Sequence, residues 1–516
     1  MPNQFKPLPP EEDIRDAIKF YFDMGMNDKE ICSQMEDHYD RKLYGLSTIS
    51  LRRLRKKWGL KRARQQKHTF DSISDYVREI RVRFPFRGAE TIRKSLRQNH
   101  GMHVSRKLVN DFLKVVEPQA VKARKGRRFK RKRYWAAGVN DAWPQDQHDK
   151  WKRFGLFLHQ SCDAYSGSFN WIKVWWTNSN PRLITKWFLD ACRQHGGVPL
   201  ITQSDPGSEN YGVANAQTTI RHRLDPSLQT TIQHRWMRKH QNILSEIKWS
   251  ILRRDWSPGF EDVFDKGVNE NWYDANDFLM NLIFRWLAIP WIQIELDAWM
   301  ANRNRSKPRA DKHKILPHGI PDIIRAKPQK YGSYDFKIIV PNDLFDEMEE
   351  LYAPQDHPVF QLVPPDFHAR ASELYARMGH PPVGRESFWD VYRNLLFLFQ
   401  TPCEIRLMTP ILTAHREVLS QIEEEEISLI PNLQDFKNPP GLVGPASSVY
   451  IGGAVNPPTA GLDPKSLAQG LEEESDDEDS RSRANDGVII AQPEAADFTS
   501  DEELEGGNDD DDEGDF

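Results

Sequence analysis

Three acidic residues stand in distinctive surroundings. Asp146 lies in Trp143-Pro-Gln-Asp-Gln-His-Asp-Lys-Trp151, Asp205 in Ser204-Asp-Pro-Gly-Ser-Glu-Asn210, and Glu246 in Asn242-Ile-Leu-Ser-Glu-Ile-Lys-Trp249. Magnesium and its relatives prefer oxygen ligands. Three carboxylates brought together can hold two such ions. Two ions can activate an attacking oxygen and stabilise a leaving one when a phosphodiester bond is cut or joined, with no covalent enzyme nucleophile. Each carboxylate alone is weak evidence, because an Asp after a strand is commonly a turn or cap residue. The weight comes from three contexts in order, with 40 residues between Asp205 and Glu246.

The elements needed to gather these groups can be read between residues 135 and 260. Leu156–Leu158 and Phe169–Trp176 have strand composition, and Asp163-Ala-Tyr-Ser-Gly167 between them reads as a hairpin turn. Leu183–Cys192 has helical spacing, Gly196-Gly197-Val198-Pro199 is a break, and Leu200–Thr202 is a short strand running to Asp205. Gly207 permits a tight turn after it. A helix over 234–254 carries Ile243, Ile247 and Ile251 as an apolar stripe, with Glu246 beside it and Asn242 and Trp249 one turn away. Strand, strand, helix, strand, helix is an α/β arrangement.

These motifs resemble the DDE integrase/transposase family, whose core has a ribonuclease H-like fold. The family's W-x-x-D strand is similar to Trp143–Asp146, its S-D-x-G segment to Ser204–Gly207, and its helical Glu to Glu246. Asp163–Gly167 matches the family's D-x-x-S turn, and Gly197-Val198-Pro199 its G-x-P. The phrases DQHDKW, WWTNSNP, SDPGSEN and LPHGIP resemble integrase-like proteins of fungal genomes, over about residues 11–400. The resemblance implies that Asp146, Asp205 and Glu246 are catalytic and bind two Mg2+ or Mn2+ ions. It further implies a DNA partner, a homo-oligomer assembled on DNA, and a mobile-element integrase or transposase that cleaves DNA and transfers strands. The alternative is a domesticated, catalytically silent DNA- or chromatin-binding descendant. Pro144 departs from the pattern. It lacks an amide donor, so a strand there must start after it or be interrupted, and Asp149 and Asp163 are rival first carboxylates. His148, His159, His234 and His240 have no metal-ligand spacing, and Glu209 is either a fourth carboxylate or a turn residue.

The front of the chain is basic and helical. Ile14, Ala17, Ile18, Tyr21 and Phe22 share one helix face, and Gly25 ends it. Asn27 and Glu30 have capping-box spacing. Ser47 caps a third helix in which Ile49, Leu51 and Leu54 alternate with Arg52, Arg53, Arg55, Lys56 and Lys57. Three helices with a basic third one resemble a helix-turn-helix module, whose cations meet phosphates or base edges; a solvated helix face is the plainer reading. A second helical unit follows, with Ile92 and Leu96 on one helix and Leu108, Val109, Phe112 and Leu113 on another capped by Ser105. Residues 122–133, KARKGRRFKRKR, carry nine basic side chains in twelve, among them Arg127, Arg128, Lys130 and Arg131. No packed core holds that density, so the run suits a phosphate backbone, nuclear import or a solvated linker.

The chain has 516 residues and a net charge of −4, which hides an asymmetry. Residues 1–134 hold 34 basic and 16 acidic side chains, whereas 471–516 hold 2 and 20. That pairs a polyanion-binding front with an acidic tail suited to solubility or to a basic protein partner. Four cysteines, Cys32, Cys162, Cys192 and Cys403, show no paired spacing, which argues against a disulfide framework or zinc finger. No signal peptide is visible, and Leu279–Met300, interrupted by Arg285, Pro290, Glu295 and Asp297, reads as a buried helix, so no membrane partner is expected. The organisation expected is two helix-turn-helix-like units over 1–66 and 67–120, a basic linker over 121–134 and an integrase core over 135–330. A mixed region over 331–437 and a disordered linker and acidic tail over 438–516 complete it. A nuclear location fits these parts.

Overall fold

In the computed structural model of the chain, residues 6–123, 135–229, 231–237, 242–310 and 315–430 are described. They fall into two units, 6–123 and 135–430. The basic run from Arg127 to Arg131 and the acidic tail lie outside the described residues.

The first unit is all helical: α1 (Glu11–Asp23), α2 (Asp28–Met35), α3 (Thr48–Lys57), α4 (Ala63–Gln66), α5 (Phe70–Arg83), α6 (Ala89–His100), α7 (Arg106–Val116) and α8 (Pro118–Ala123). Ile14, Ile18, Tyr21 and Phe22 form the buried side of α1. Gly25, at φ +80°, turns the chain out of it. The capping box closes as expected. Asn27 Oδ1 accepts from the Glu30 amide at 2.8 Å, and Glu30 Oε2 accepts from the Asn27 amide at 3.0 Å. Ser47 Oγ caps α3 by accepting from the Ser50 amide. The inner face of α3 differs from expectation: Leu51, Leu54 and Arg55 point inward, while Ile49 is 62% exposed. Arg97 of α6 donates to the carbonyls of Asp23 and Met24 at 3.1 and 3.0 Å, and His103 packs on Phe22. The two sets of helices therefore share side-chain contacts within one unit.

The second unit is built on a mixed sheet: β1 (Ala142–His148), β2 (Phe157–Cys162), β3 (Phe169–Trp175), β4 (Ile201–Ser204) and β5 (His234–Trp236), in the order β3-β2-β1-β4-β5. Strands β1, β2 and β3 are antiparallel neighbours, whereas β4 and β5 run parallel to β1. Helices α9 (Pro181–His195), α10 (Tyr211–Leu224) and α11 (Ile243–Asp255) flank it. Asp163 builds the hairpin turn: one oxygen accepts from the Ser166 amide and hydroxyl at 2.8 and 2.6 Å, the other from the Asn140 amide at 2.7 Å.

Two expectations are corrected. Pro144 neither starts nor breaks β1, because the strand changes partner there. Ala142–Pro144 pair with β4, and Gln145–His148 pair with β2. The hairpin resumes beyond the proline, where the Ala164 amide donates to the Ala142 carbonyl. The helix expected over 234–254 begins only at Ile243, and His234–Trp236 is the fifth strand.

Beyond α11 the unit is helical: α12 (Ser257–Asn269), α13 (Phe278–Asn304), α14 (Pro321–Ala326), α15 (Asn342–Tyr352), α16 (Pro365–Arg377), α17 (Phe388–Phe399) and α18 (Pro402–Glu424). The stretch expected to be mixed thus carries helices. The isolated bridges Val139 to Asp335 and Val198 to Ile338, with the Trp175 and Trp176 indoles donating to the Val359 and Gln361 carbonyls at 2.9 and 3.0 Å, tie it to the sheet's margin. An aromatic cluster of Trp151, Trp256, Phe260, Phe264, Phe284, Trp291, Phe388 and Tyr392 packs α12, α13 and α17. Leu279–Met300 lies in α13, with 11 of its 22 residues buried; inside it, Arg285 bonds to His415 at 2.8 Å. Among the described residues no single helix is long and apolar enough to cross a membrane.

Candidate active site

Strand β1 carries Asp146 in its middle, partly buried. Its beginning is anchored by Trp143, whose indole donates to Asn140 Oδ1 at 2.9 Å beneath the Arg325 guanidinium. Arg325, on α14, also reaches Asn140 and Asn170. The LPHGIP segment therefore leads into a helix that braces the start of β1. Because Pro144 pairs with Gln203 in parallel, the same register two residues on brings Asp205, just past the end of β4, alongside Asp146.

Asp205 is held through its backbone. Its carbonyl accepts from Ser204 Oγ at 2.9 Å and from Asn210 Nδ2 at 3.4 Å. His234 on β5 bridges Thr202 Oγ1 at 2.8 Å and Ser204 Oγ at 3.1 Å. Burial pushes this imidazole down to about 3, with Arg235 adding to the effect, so it serves as a neutral structural group. Asn210 also joins Glu209 Oε1 at 2.7 Å and Gln145 Nε2 at 2.8 Å. Glu209 is buried in that turn.

Helix α11 brings Glu246 in its first turn, exposed. The expected stripe of Ile243, Ile247 and Ile251 is only half-buried; the inner face is Ser245, Trp249 and Leu252. The helix docks on β1 through polar contacts. Asn242 Nδ2 donates to the Gln145 carbonyl at 3.0 Å, and Trp249 Nε1 donates to Asp146 Oδ2 at 3.0 Å. The Trp249 ring stacks on His148 with centroids 4.8 Å apart at 16°.

Asp146 feels the other two carboxylates electrostatically. The Asp146 carboxyl is pushed up to about 8, first by burial and then by the Asp205 carboxylate, with Glu246 adding a smaller effect. Hydrogen bonds from the Gln147 amide and Trp249 pull the other way. Crowded carboxylates that resist ionising together are the electrostatic setting a divalent cation relieves. Among the described residues, no three acidic, imidazole or thiol side chains already enclose a metal-sized space. Magnesium keeps several waters and is commonly held by one or two carboxylates, and Asp146, Asp205 and Glu246 offer oxygen donors of that chemical kind.

The rival first carboxylates have other work. Asp163 is consumed by its turn, and Asp149 accepts from Asn178 Nδ2 at 2.9 Å. Helical spacing places Trp249 and Asn242 beside Glu246, but it carries no sign of the hydrogen bonds they make to β1. His148 and His159, like His234, are depressed by burial, to about 4 and about 3.

The basic face of α3 is less uniform than its sequence. Arg53 and Lys56 are exposed, whereas Arg55 is buried against Asp28 at 2.9 Å. Arg52 and Arg62 also reach Asp28, at 3.2 and 2.8 Å, and Lys57 pairs with Glu11 at 2.7 Å. Arg55 is therefore corrected from a DNA-facing cation to an internal ion-pair partner.

No curated protein matches the chain. Residues 134–320, which span the five-stranded sheet and all three carboxylates, match the family described as the integrase core domain.

Proposed function

We propose that this chain is a mobile-element-derived DNA integrase or transposase that cleaves phosphodiester bonds and transfers strands with two metal ions. The observation that carries this reading is the electrostatic coupling of Asp146 with Asp205 and Glu246, inside the span that matches the integrase core. Asp146, Asp205 and Glu246 would hold Mg2+ or Mn2+. When bound, two such ions supply Lewis-acid stabilisation of attacking and leaving oxygens. The protein's part is to hold the carboxylates: Asp146 on a central strand, Asp205 by its backbone carbonyl, Glu246 on a helix docked to that strand. The exposure of Asp205 and Glu246 leaves the site open to a polymeric substrate. Arg53 and Lys56, with Arg127, Arg128, Lys130 and Arg131, supply cations for the DNA backbone. Nuclear location, assembly into a multimer on DNA, and a basic partner for the acidic tail belong to the same reading.

The test is a strand-transfer assay on element ends with Mg2+ or Mn2+, comparing wild type with Asp205→Ala and Glu246→Ala. Activity in wild type and its loss in both variants is expected. Unchanged activity in both variants would reject the catalytic assignment. An inert wild type that still binds DNA would favour a domesticated binding protein.

A further inference from the structure

We propose that Trp249 is a positioning residue for the candidate site, its indole N–H fixing the Asp146 carboxylate for metal binding; this rests on the metal-dependent reading above. Trp249 is 6% exposed, and its ring lies flat against His148, two residues along β1 from Asp146. Stacking fixes the plane of the indole. Its single donor then points at Asp146 Oδ2 at 3.0 Å. An indole has one N–H and accepts nothing, so this bond has a fixed direction. With that interaction and the Gln147 amide bond made, the carboxylate's remaining lone pairs are what it presents to a cation. The same residue lies one turn from Glu246 on α11. One side chain thus sets the orientation of a β1 carboxylate from the helix that carries its α11 partner.

A hydrophobic residue would suffice if Trp249 were only packing. Phenylalanine keeps a ring against His148 and removes the donor, so Trp249→Phe separates the two roles. In the full chain, Mn2+ affinity measured by calorimetry is expected to fall roughly tenfold or more, the usual effect of removing a group that orients a metal ligand. On an Asp146→Asn background the same substitution should make no further difference, because the bond acts through that carboxylate. A loss in Mn2+ affinity that persists undiminished in Asp146→Asn, or no loss at all, overturns the proposal. If Trp249→Phe folds poorly, Trp249→Gln and Trp249→Leu give the comparison: both lose the ring, and only Gln keeps an N–H donor. Tighter Mn2+ binding by the Gln variant supports the role, and equal binding rejects it. Absence of Mn2+ binding by wild type sinks the metal-dependent reading and this inference with it. Wild-type binding with an indifferent Trp249→Phe sinks the inference alone.

Discussion

Arg55 Nη2 lies 2.9 Å from Asp28 Oδ2, with both side chains almost wholly buried in the helical unit. Asp28 is also the anchor for Arg52 and Arg62. Removing the carboxylate strands buried positive charge, which typically costs about 3–5 kcal/mol. Asp28→Ala is therefore expected to destabilise the first unit by about that much in urea unfolding; a loss below about 1 kcal/mol would show that the network is solvated.

Arg53 and Lys56 project from the same helix without such a role. Replacing each by Ala should leave stability within about 0.5 kcal/mol. If they meet phosphates, each substitution should also reduce the slope of log affinity against log salt by roughly 0.9. Binding titrations on duplex DNA at several salt concentrations check this, and an unchanged slope places both outside the DNA contact.

The Trp171 indole donates to His159 Nδ1 at 3.0 Å in the sheet interior. That bond requires a neutral acceptor, and burial pushes the imidazole down to about 3 from 6.5. A depressed folded value means that the unfolded chain binds the proton more readily. The stabilisation is whole above pH 6.5 and is lost as pH falls toward 3, with a slope of up to about 1.4 kcal/mol per pH unit. His195 and His234 behave alike. Unfolding measured from pH 7 to pH 4 should show a flatter loss for His159→Asn, which keeps an acceptor, even if that variant is weaker at neutral pH. A parallel loss would mean that His159 does not titrate on unfolding.

What the sequence discloses follows its strongest local signals. A short apolar run, Leu156–Leu158, marks the start of β2 and an aromatic and β-branched run marks β3, capping residues mark α2, α3 and α7, and the Asp163 turn is visible in its own five residues. Three-residue β5 has too few positions for any period to register. The Ile243, Ile247 and Ile251 stripe misplaces the buried face of α11, because that helix docks by hydrogen bonds from Asn242 and Trp249 that hydrophobic spacing does not register. Arg55 looks like its basic neighbours because its partner, Asp28, is remote in sequence. Pro144 does lack one ladder bond, yet β1 continues by exchanging β4 for β2.

Asp146 gives a pH dependence of the opposite sign. Its folded value, about 8, exceeds the ordinary 3.8, so the metal-free folded state binds the proton more tightly than the unfolded chain. Its contribution is full below about pH 4 and declines as pH rises through 8. Metal-free Asp146→Asn should therefore gain stability relative to wild type as pH rises from 5 to 8. Added Mn2+ should narrow that difference by stabilising wild type more. A difference between the two proteins that is constant with pH would show that Asp146 ionises normally.

Gly197, in the Gly-Val-Pro segment before β4, gives a prediction about backbone space. A Cβ there would meet the Ile338 carbonyl oxygen at 2.3 Å, at a φ of +157°. That carbonyl accepts from the Val198 amide at 2.9 Å, and Val198 accepts in return from the Ile338 amide at 2.9 Å. The glycine is needed because two backbones approach at this point. Neighbouring Gly196 ends α9 at φ +71°, and a methyl group placed on it would have nothing within 4 Å. Gly196→Ala meets only the left-handed backbone cost, about 1–2 kcal/mol. Gly197→Ala must in addition push apart a hydrogen-bonded pair, and is expected to cost at least about 2 kcal/mol. Urea unfolding of the two variants side by side decides the matter: equal losses would mean that the Val198–Ile338 bridge gives way without resistance and that φ alone selects glycine at both positions.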